Sequence, residues 1–503
     1  MIKHKFVIVG GGTAGIICAT FIKKIYNDLA DVTVIYDHKN PSIGVGESLT
    51  PIFTIYLNYV GITPEELIKS TNSTLKIGLR YQNWLNKNDY FYHPFTQDAD
   101  SLLLCLSSFN SVIEICNDTF DYGPLYSAYF FENNKIPNDL IEKANQGKMS
   151  YSLHIDAVSF SRYVENKFKN QLNIIDGVVQ NSIKDCGFIK SLMLSDGRNV
   201  DGDFFIDASG FQRILIKDME DARWIDKKTW LPVDRCIPNP LPFDFEEIPP
   251  YTTAAASDNG WIFNVPLQHR WGTGYIYSSE YISDDLAFSN FEKYLTKNFG
   301  KNSLHNKNRV LRFESGYWKD QWIKNCLCVG LASGFAEPLE ATNVHHVVLQ
   351  MIKFLQVYNF RVFDHDVNHY NKQMVDFYDN AYLFLRFVYH TEREDSEFWK
   401  YMTNNAPKEI LDLSEKMRYN VVDSKVIGSP SDAFSPHTFG YLNFTTIANG
   451  FEKIDRESYY EMIKRRNNQN QFIHNSNIIR NIKNNDIQNS ISHIEYIQSL
   501  RSK

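Results

Sequence analysis

The sequence predicts an α/β protein with a Rossmann-like, nucleotide-binding fold at its N-terminus and a mostly helical C-terminal part. Three observations predict this fold class. An apolar strand runs into a glycine-rich turn and a helix at the start of the chain. Two further apolar strands, far along the sequence, also end in small residues. Beyond about residue 362, strand patterns give way to helical periodicity.

The first junction is the segment 6–15, FVIVGGGTAG, in which four apolar residues lead into a G-x-G-x-x-G pattern. The glycines permit a tight turn and a close approach of the backbone to a pyrophosphate, and the helix that follows offers its N-terminal amides. The pattern is weak alone and strong at a strand-to-helix junction. The cofactor-binding residues predicted here are Gly10, Gly12, Thr13, Ala14 and Gly15.

The acid that binds a ribose is expected about 20 residues after these glycines, at the end of the second strand. That strand is predicted at Val32–Ile35 and is followed by Tyr36. The acid, Asp37, comes one position later. Asp37 is therefore the candidate ribose ligand.

Three more segments extend the predicted cofactor site. The loop 41–51 is glycine-rich, as in loops that pass close to a flat ring, and the strands at 204–207 and 327–332 both run into small residues. A nicotinamide cofactor alone would need only the first junction, so this set of distant segments favours FAD. The candidates they add are Gly46, Glu47, Ser48, Asp207, Gly330 and Ala336.

Composition narrows the class of protein further. A chain of 503 residues is long for one hydrophobic core and suggests two or three packed modules. Its net charge of -7 argues against a nucleic-acid partner, which normally leaves a basic face. No signal peptide precedes the first strand, and no apolar run reaches the roughly 18–20 residues that span a bilayer. We expect a cytoplasmic protein with no membrane partner, and homo-oligomerisation is left open.

The cysteines and histidines do not indicate a metal site. Seven cysteines are scattered without disulfide spacing, as is typical of a reducing compartment. Cys326 and Cys328 lie inside an apolar run, which predicts buried strand thiols rather than half of a zinc site. The neighbours His345 and His346 point in different directions and lack further ligands at a suitable spacing.

Lys76 is the most informative single residue. It lies in the segment 74–84, TLKIGLRYQNW, whose alternation of apolar and polar residues predicts a strand. A strand lysine is normally solvated, since lysine is rarely buried. Its interpretation therefore depends on the rest of the sequence.

These segments together resemble the flavin-dependent halogenases, specifically the tryptophan-halogenase-like branch, from residue 6 to about residue 400. The loop 44–51 is similar to the family's flavin-contacting loop, and Lys76 falls at the family's essential lysine. The segments 260–267, GWIFNVPL, and 337–342, EPLEAT, are similar to the family's W-x-W-x-I-P and E-P-L-E-S-T signatures. The resemblance implies the fold of GR2-type flavin monooxygenases and halogenases.

The first signature implies a partition between the flavin and the organic substrate, which suppresses direct oxygenation. Trp261 and Pro266 are retained, whereas Phe263 replaces the second tryptophan and Val265 replaces the isoleucine. Phenylalanine and valine keep the apolar bulk, so the partition is expected to persist.

The second signature implies a halide site at Thr342 and Asn343. The family typically has glycine where this chain has Asn343. If the backbone there requires a positive φ, asparagine is the next most tolerant residue. A halide site of altered size, with a preference for bromide or iodide, follows as a hypothesis, because those halides oxidise more easily than chloride.

The resemblance implies that FADH2 and O2 form a flavin hydroperoxide, which the halide attacks to give hypohalous acid. The acid then travels through an internal tunnel to Lys76, which donates a hydrogen bond to it or forms a haloamine. Glu340 is implied as the carboxylate that stabilises the cationic ring intermediate and helps remove its proton, or as a carboxylate at a helix N-terminus. The substrate would be an electron-rich aromatic small molecule of the indole or phenol type. Since no second fingerprint for NAD(P)H is visible, a separate flavin reductase is expected.

The expected organisation is a cofactor-binding core at 1–360 followed by a helical substrate-binding module at 361–503. The core is assembled from 1–60, 150–215 and 325–360, with interleaved sheet segments at 70–100 and 250–320. Two alternatives to a halogenase stay open: a flavin-dependent aromatic monooxygenase and a redox-silent FAD-binding protein.

Overall fold

The structure is a computed structural model that describes eleven stretches of the chain. They are residues 3–39, 46–85, 88–95, 127–146, 149–242, 246–300, 309–419, 438–455, 457–458, 461 and 484–502. Residues 41–45 of the predicted flavin loop lie outside them. The chain divides into two compact units, each made of three segments. The first unit is Met1–Ser73, Ile155–Leu231 and Arg312–Asp379, and the second is Thr74–His154, Pro232–Leu311 and Asn380–Lys503.

This grouping differs from the predicted division near residue 360. The three segments expected to form the cofactor core lie in the first unit except for residues 150–154, and this unit continues to Asp379. Most of the sheet segments 70–100 and 250–320 instead belongs, with the C-terminal helices, to the second unit. A sequence pattern identifies strands, but it does not identify the sheet that each strand joins.

The first unit is built on a six-stranded sheet that is parallel except at one edge. Its spatial order is Trp322–Ile323, Cys326–Cys328, Phe204–Asp207, His4–Val9, Ala30–Tyr36 and Asn173–Asp176. The edge strand Trp322–Ile323 runs antiparallel to its neighbour, and the other pairs are parallel. Phe6, Ile8 and Ile206 are fully buried, as expected where a parallel sheet is covered on both faces. The strands predicted near residues 6–9, 32–35 and 204–207 are confirmed.

The predicted strand at 327–332 is shorter than expected, because it ends at Cys328 and a 3-10 turn follows at Gly330–Ala332. Cys326 and Cys328 are buried in this strand, as predicted. The free cysteines in the described ranges are Cys18, Cys186, Cys236, Cys326 and Cys328.

Helices and two small antiparallel sheets complete the first unit. The sheets are formed by Val179–Asp185, Phe188–Leu194 and Asn199–Asp201, and by Trp224–Asp226, Gly316–Trp318 and Gly334–Phe335. The helices are Thr13–Tyr26, Ile52–Val60, Pro64–Thr71, Ala157–Phe168, Thr342–Val357 and the first part of Asp364–Val388. Shorter elements are the strand Glu47–Ser48 and the 3-10 turns Asn27–Leu29, Gly210–Gln212 and Ile216–Asp218.

The second unit contains a large, mostly antiparallel sheet. Its spatial order includes Arg235–Pro238, Arg270–Tyr277, Gly260–Pro266, Tyr251–Ser257, Gly78–Gln82 and Tyr90–Pro94. Tyr251–Ser257 and Gly78–Gln82 are parallel neighbours, and Leu241–Pro242 also pairs with Arg270–Tyr277. The helix Asp284–Phe299 packs Phe291 and Leu295 into one hydrophobic cluster with Ile262 and Tyr275.

The single strand predicted at 74–84 is broken at Ile77. Thr74–Lys76 pairs with the strand Ser152–Ile155, whereas Gly78–Gln82 joins the large sheet. Directly after the break the backbone passes close to the neighbouring strand, since a Cβ atom on Gly78 would lie 2.5 Å from the Pro94 Cα. The alternating pattern of apolar and polar residues is present, but its two halves belong to strands that pair in different sheets.

The C-terminal part is mostly helical, as predicted. Helices of the second unit are Ser127–Glu132, Leu140–Asn145, Glu397–Asn404, Lys408–Tyr419, Tyr441–Gly450, His493–Arg501 and the end of Asp364–Val388. One strand, Ser490–Ser492, pairs with Lys135–Pro137. In the stretches that the structure describes, no helix has an apolar run long enough to cross a membrane.

Candidate active site

The glycine turn of the first unit leaves no space for side chains. A Cβ atom on Gly15 would lie 1.8 Å from the Gly10 carbonyl oxygen, and one on Gly10 would lie 2.3 Å from the Ala208 carbonyl oxygen. Gly10 also has a φ of 120°, which favours glycine. The turn therefore brings the strand His4–Val9, the helix Thr13–Tyr26 and the end of the strand Phe204–Asp207 into close backbone contact.

Three of the described helices of this unit begin without a side-chain cap: Ile52–Val60, after Pro51, and two that start at the predicted cofactor and halide segments. Thr13–Tyr26 starts after Gly12 and Thr342–Val357 starts after Ala341, and neither preceding side chain accepts a hydrogen bond from the first turn. By contrast, Thr63 and Asp156 cap their helices in the ordinary way. Uncapped N-termini leave amide donors and a partial positive charge available to an anion.

The two uncapped starts at the predicted cofactor and halide segments converge at Gly330. A Cβ atom on Gly330 would lie 3.2 Å from the Ala14 Cβ and 3.8 Å from the Asn343 Oδ1, which are both first-turn residues. Gly330 has a φ of 59°, and its N–H donates to the Gln350 Oε1 at 2.9 Å. Ala14, Gly330 and Asn343, predicted from separate motifs, are thus neighbours at a site that favours negative charge.

The strain at the second helix start falls on Ala341, not on Asn343. Ala341 has a φ of 56° and a ψ of 35°, and its N–H donates to the Pro338 carbonyl at 3.0 Å. Asn343 lies in the first helical turn and is not among the residues of positive φ. The conditional expectation of a positive φ at Asn343 is therefore corrected, because the turn from Pro338 to Ala341 reverses the chain before the helix begins.

Side chains at this helix start are buried. Thr342 and Glu340 are almost fully enclosed, and the Oδ1 of Asn343 is buried without a hydrogen-bond partner. A buried, unpaired acceptor costs free energy, so its retention points to a ligand site. Ala336, another predicted cofactor residue, is buried just ahead of the same turn.

Glu47 lies beside the glycine turn. The Thr13 hydroxyl donates to the Glu47 Oε1 at 3.4 Å, and the Oε2 is buried without a partner. Burial raises the pKa of Glu47 to about 7, with the Thr13 contact opposing the shift and the charge of Asp156 adding to it. Gly46 precedes it with a φ of 89°, and Ser48 completes the short strand.

The two predicted acids differ in how their carboxylates are used. Asp37 lies at the end of Ala30–Tyr36, where its Oδ1 accepts from the Lys39 N–H at 2.9 Å. Asp207 is fully buried, with Oδ1 accepting from Ser209 and Oδ2 accepting from the Leu215 and Ile216 amides. These bonds indicate that Asp207 shapes the turn rather than presenting its carboxylate to a ligand.

A contact that the sequence reasoning missed joins the loop to the uncapped helix. The Thr50 Oγ1 lies 2.8 Å from the His345 Nδ1. Burial lowers the pKa of His345 to about 4, so the ring is neutral at physiological pH. A threonine four residues after Gly46 carries no sequence signal for such a long-range partner.

The predicted partition is a strand of the second unit in which every residue is buried. The Trp261 and Phe263 ring centroids are 6.1 Å apart, and both rings lie on one face of the strand. The cross-strand neighbours of Phe263 are small, since it pairs with Ala254 and Gly274, and a Cβ on Gly274 would meet the Phe263 ring at 2.5 Å. Small residues thus leave room for the Phe263 ring, whereas Trp261 pairs with Ala256 and Ile276.

Lys76 is 0% exposed, unlike an ordinary strand lysine, which is normally solvated. Its Nζ lies 4.7 Å from the centroid of the Phe95 ring, within cation–π range. Two residues earlier, the Thr74 hydroxyl donates to the Pro266 carbonyl at 2.7 Å. The lysine strand is therefore tied to the end of the partition strand within the second unit.

The predicted site residues form two groups. The first unit holds the cofactor and halide candidates together with Glu340, and the second unit holds Lys76 with Trp261, Phe263 and Pro266. In the part of the chain that the structure describes, no group of three or more His, Cys, Asp or Glu residues could hold a metal ion.

The first group fits a dinucleotide cofactor on structural grounds. A cradle that a Cβ atom would fill and two convergent uncapped helix starts suit an anionic ligand lying against the backbone. A parallel sheet of this kind, with the cofactor segments distributed over the unit, defines a flavoprotein-type dinucleotide-binding fold.

Comparison with known proteins narrows this class. The sequence profile described as tryptophan halogenase matches residues 5–457. The chain is 27% identical to tryptophan 6-halogenase SttH of Streptomyces toxytricini over 475 residues, covering 89% of this chain and 90% of SttH. It is 27% identical to tryptophan 7-halogenase RebH of Lentzea aerocolonigenes, covering 79% and 78% of the two chains. A flavin-dependent halogenase from Xanthomonas campestris superposes with a TM-score of 0.82 at 24% identity, covering 99% of both chains.

The chain belongs to the tryptophan halogenase family, whose members are flavin-dependent halogenases. The predicted family, fold class and enzyme class are thereby confirmed, and FAD and a halide are the cofactor and co-substrate that the family implies. The roles of individual site residues stay predictions.

The glycine cradle gives a first prediction. We expect Gly15→Ala to weaken FAD binding by at least about ten-fold and to destabilise the protein by about 1–3 kcal/mol, because the added methyl overlaps the Gly10 carbonyl. Gly197→Ala is the control for FAD affinity, since its Cβ would meet nothing within 4 Å; unlike Gly15, Gly197 has a positive φ, so its replacement strains the backbone without filling the cradle. Fluorescence titration with FAD and thermal unfolding measure both effects. Equal FAD affinity in the two variants would contradict the cradle.

Glu47 gives a pH-dependent prediction. Its folded-state pKa of about 7 lies above the ordinary value of 4.5, so the folded protein binds the extra proton and loses stability as pH rises through this window. We expect Glu47→Gln to match wild type near pH 4.5 and to be more stable above pH 7 when FAD is absent. Unfolding temperatures at several pH values measure this, and a difference that shrinks with rising pH would refute it.

Proposed function

We propose that this protein is an FADH2-dependent halogenase that oxidises a halide with O2 and halogenates an electron-rich aromatic small molecule of the indole or phenol type. The observation that carries the proposal is the complete burial of Lys76 on a strand tied through Thr74 to Pro266 of the partition strand. Burying a lysine costs free energy that an ordinary strand position would avoid. The names of the relatives, tryptophan 6- and 7-halogenases, support an indole as the first substrate to test.

Residues of the first unit would hold FAD, which when reduced supplies with O2 the oxidising equivalents for halide. Gly10, Gly12, Thr13, Ala14 and Gly15 would receive the pyrophosphate, with Asp37 at the ribose. The loop residues Gly46, Glu47 and Ser48, together with Gly330 and Ala336, would lie along the ring system. Asp207 would act indirectly, because its carboxylate is occupied by the turn that it orders.

The halide would bind at the start of the helix Thr342–Val357. The uncapped amides there favour an anion, and Thr342 and the Asn343 amide are the proposed donors. The carboxamide of Asn343 adds a polar group that glycine lacks. We therefore include in the proposal a preference for bromide or iodide over chloride.

Lys76 would present hypohalous acid to the substrate. Its ammonium can donate a hydrogen bond to the oxygen of the acid, or its neutral amine can form a haloamine with release of water. In either case a halogen–carbon bond forms, the halogen–oxygen or halogen–nitrogen bond breaks, and the ring loses a proton. Glu340, a buried carboxylate, is the proposed acceptor of that proton.

The oxidising step needs FADH2 from outside the chain. No second NAD(P)H fingerprint follows the first glycine turn in the sequence, so we propose that a separate flavin reductase supplies it. The assays below are therefore run with a reductase and NADH, and also with NADH alone. Equal turnover without the reductase would overturn this part of the proposal.

Lys76→Met tests the function directly. Methionine keeps the length and apolar character of the side chain but removes the amine, so we expect product formation to fall by about 10²–10³-fold, as for loss of one preorganised donor. Lys453→Met is the control, because Lys453 is a half-buried lysine of the second unit that donates to the His390 carbonyl. Product mass with tryptophan, indole and a phenol, with and without halide, is the measurement.

Three outcomes would count against the proposal. Wild-type rates in Lys76→Met would remove Lys76 from the chemistry. A product that gains oxygen rather than halogen would favour the monooxygenase. Retained FAD without any product would favour a redox-silent protein.

The side chain of Asn343 is expected to influence which halide the enzyme uses. With equal concentrations of chloride and bromide, we expect wild type to give mainly brominated product and Asn343→Gly to raise the chlorinated fraction at least about three-fold. Asn343→Ala is the matched control, since it removes the carboxamide without the helix penalty of about 1 kcal/mol that glycine brings. Mass spectrometry of the products decides, and chloride preference in wild type would end the idea.

A further inference from the structure

Two histidines from distant parts of the second unit contact the strand that carries Lys76. His154 lies on the neighbouring strand opposite Thr74, and His493 begins the last helix of the chain. Both side chains are fully buried. Neither belongs to a motif that the sequence or the proposed mechanism uses.

The hydrogen bonds around His154 fix its protonation. The Thr74 Oγ1 donates its one proton to the Pro266 carbonyl, so in its 2.9 Å contact with the His154 Nδ1 it must accept. Nδ1 therefore carries a proton. In the neutral ring Nε2 is then an acceptor, and the Thr252 hydroxyl, 2.9 Å away, donates to it. The result is a directed chain from Thr252 through His154 and Thr74 to the partition strand.

The contacts of His493 fix its protonation as well. The backbone N–H of Leu75, the residue before Lys76, donates to the His493 Nε2 at 3.1 Å, so Nε2 is unprotonated. The Nδ1 lies 3.0 Å from the Ile248 carbonyl, which can only accept, so Nδ1 carries the proton. A protonated Nε2 would break the bond to Leu75.

Charge and burial agree with this assignment. The pKa of His154 lies well below its ordinary value, because of burial first and then the nearby positive charge of Lys76, and protonation of His493 would lower it further. Burial also lowers the pKa of His493 to about 4, although its backbone contacts oppose the shift. Both imidazoles are therefore neutral at physiological pH and do not add positive charge beside the lysine.

We propose that His154 and His493 are positioning residues for Lys76, which together hold its strand in one register against the end of the partition strand. His154 fixes the side chain of Thr74, and His493 fixes the backbone of Leu75, so two consecutive residues before Lys76 are held from different elements. This inference rests on the proposed function of Lys76. His493 lies beyond residue 457, where the match to the family profile ends.

A positioning role for the two histidines and a merely structural role predict different changes in activity when the strand is loosened. A looser strand would leave halide oxidation in the first unit intact but would misplace the amine that delivers the halogen. Displacements of about 1 Å can cost about 10²-fold in rate. Transfer should therefore fail more than substrate binding, and oxidant should escape into solution.

The experiment compares His493→Leu with His493→Gln in the full-length protein. Glutamine can accept from Leu75 and donate to Ile248, whereas leucine can do neither. For His493→Leu we expect kcat to fall about ten-fold with KM within about two-fold, and more hypohalous acid to reach a soluble trap such as monochlorodimedone. His493→Gln should stay near wild type in both measurements.

A second readout does not depend on turnover. Reductive methylation with formaldehyde and cyanoborohydride, followed by peptide mass spectrometry, reports the accessibility of the Lys76 amine in protein without FAD. We expect labelling of Lys76 to rise several-fold in His493→Leu and not in His493→Gln. His390→Gln is the control, because His390 lies in the same unit and the structure shows no contact between it and the Lys76 strand.

Thr252→Val keeps the proposal testable if His493→Leu does not fold, since it removes only the donor to His154 and should give a smaller change of the same kind. The proposal would be overturned if folded His493→Leu showed wild-type labelling of Lys76 and no increase in released oxidant. If leucine prevents folding, the same results in folded Thr252→Val would overturn it. If wild type makes no halogenated product with any halide, the proposed function fails, and the labelling comparison still decides the positioning claim.

Discussion

The burial of Lys76 is the constraint on which much of the second unit depends. A long, flexible side chain would escape to solvent if its strand could shift, because leaving water costs a charged group several kcal/mol. The backbone prevents such a shift on both sides of the lysine. The Leu75 N–H is bound by His493, and the Ile77 N–H donates to the Pro250 carbonyl at 2.8 Å. The change of sheet at Ile77 thus fixes the lysine as well as redirecting the chain.

The first unit is organised around a different requirement, the concentration of backbone donors at one place. Helices normally satisfy their first amides with a capping side chain, and Thr63 and Asp156 do so here. Gly12 and Ala341 do not, and their helices meet at Gly330. The left-handed conformation of Ala341 is unfavourable for a residue with a Cβ atom, typically by about 1–3 kcal/mol. Strain and missing caps in the same place are characteristic of a functional site rather than of a structural turn.

The sequence was sufficient for features that local patterns determine. Alternation and apolar runs gave the strands of the six-stranded sheet, and glycine spacing gave the turn at Gly10 to Gly15. It could not reveal that Ile77 divides a continuous alternation, because the strands that pair with the two halves, Ser152–Ile155 and Tyr251–Ser257, lie far away in the sequence. The grouping of 250–320 with the C-terminal helices was hidden for the same reason.

For the candidate site, motif residues were predictable and their supporting residues were not. Lys76 and Asn343 stand in recognisable segments, whereas His154, His493 and His345 act through partners far away in the sequence. No periodicity or spacing encodes such pairs. The same holds for Asp207, which ends a strand as a cofactor ligand would, yet directs its carboxylate into its own turn.

The departure at Phe263 shows how a changed motif can keep its shape. In the family pattern a second tryptophan stands at this position, and a smaller ring would by itself leave a gap in the partition. The Phe263 ring instead lies directly over Gly274, whose Cβ would be only 2.5 Å away, and beside Ala254. The ring is thus packed against backbone, where no side chain can move to widen a gap. A partition built in this way depends as much on the glycine of the next strand as on the aromatic residue, so the two positions have to be considered together.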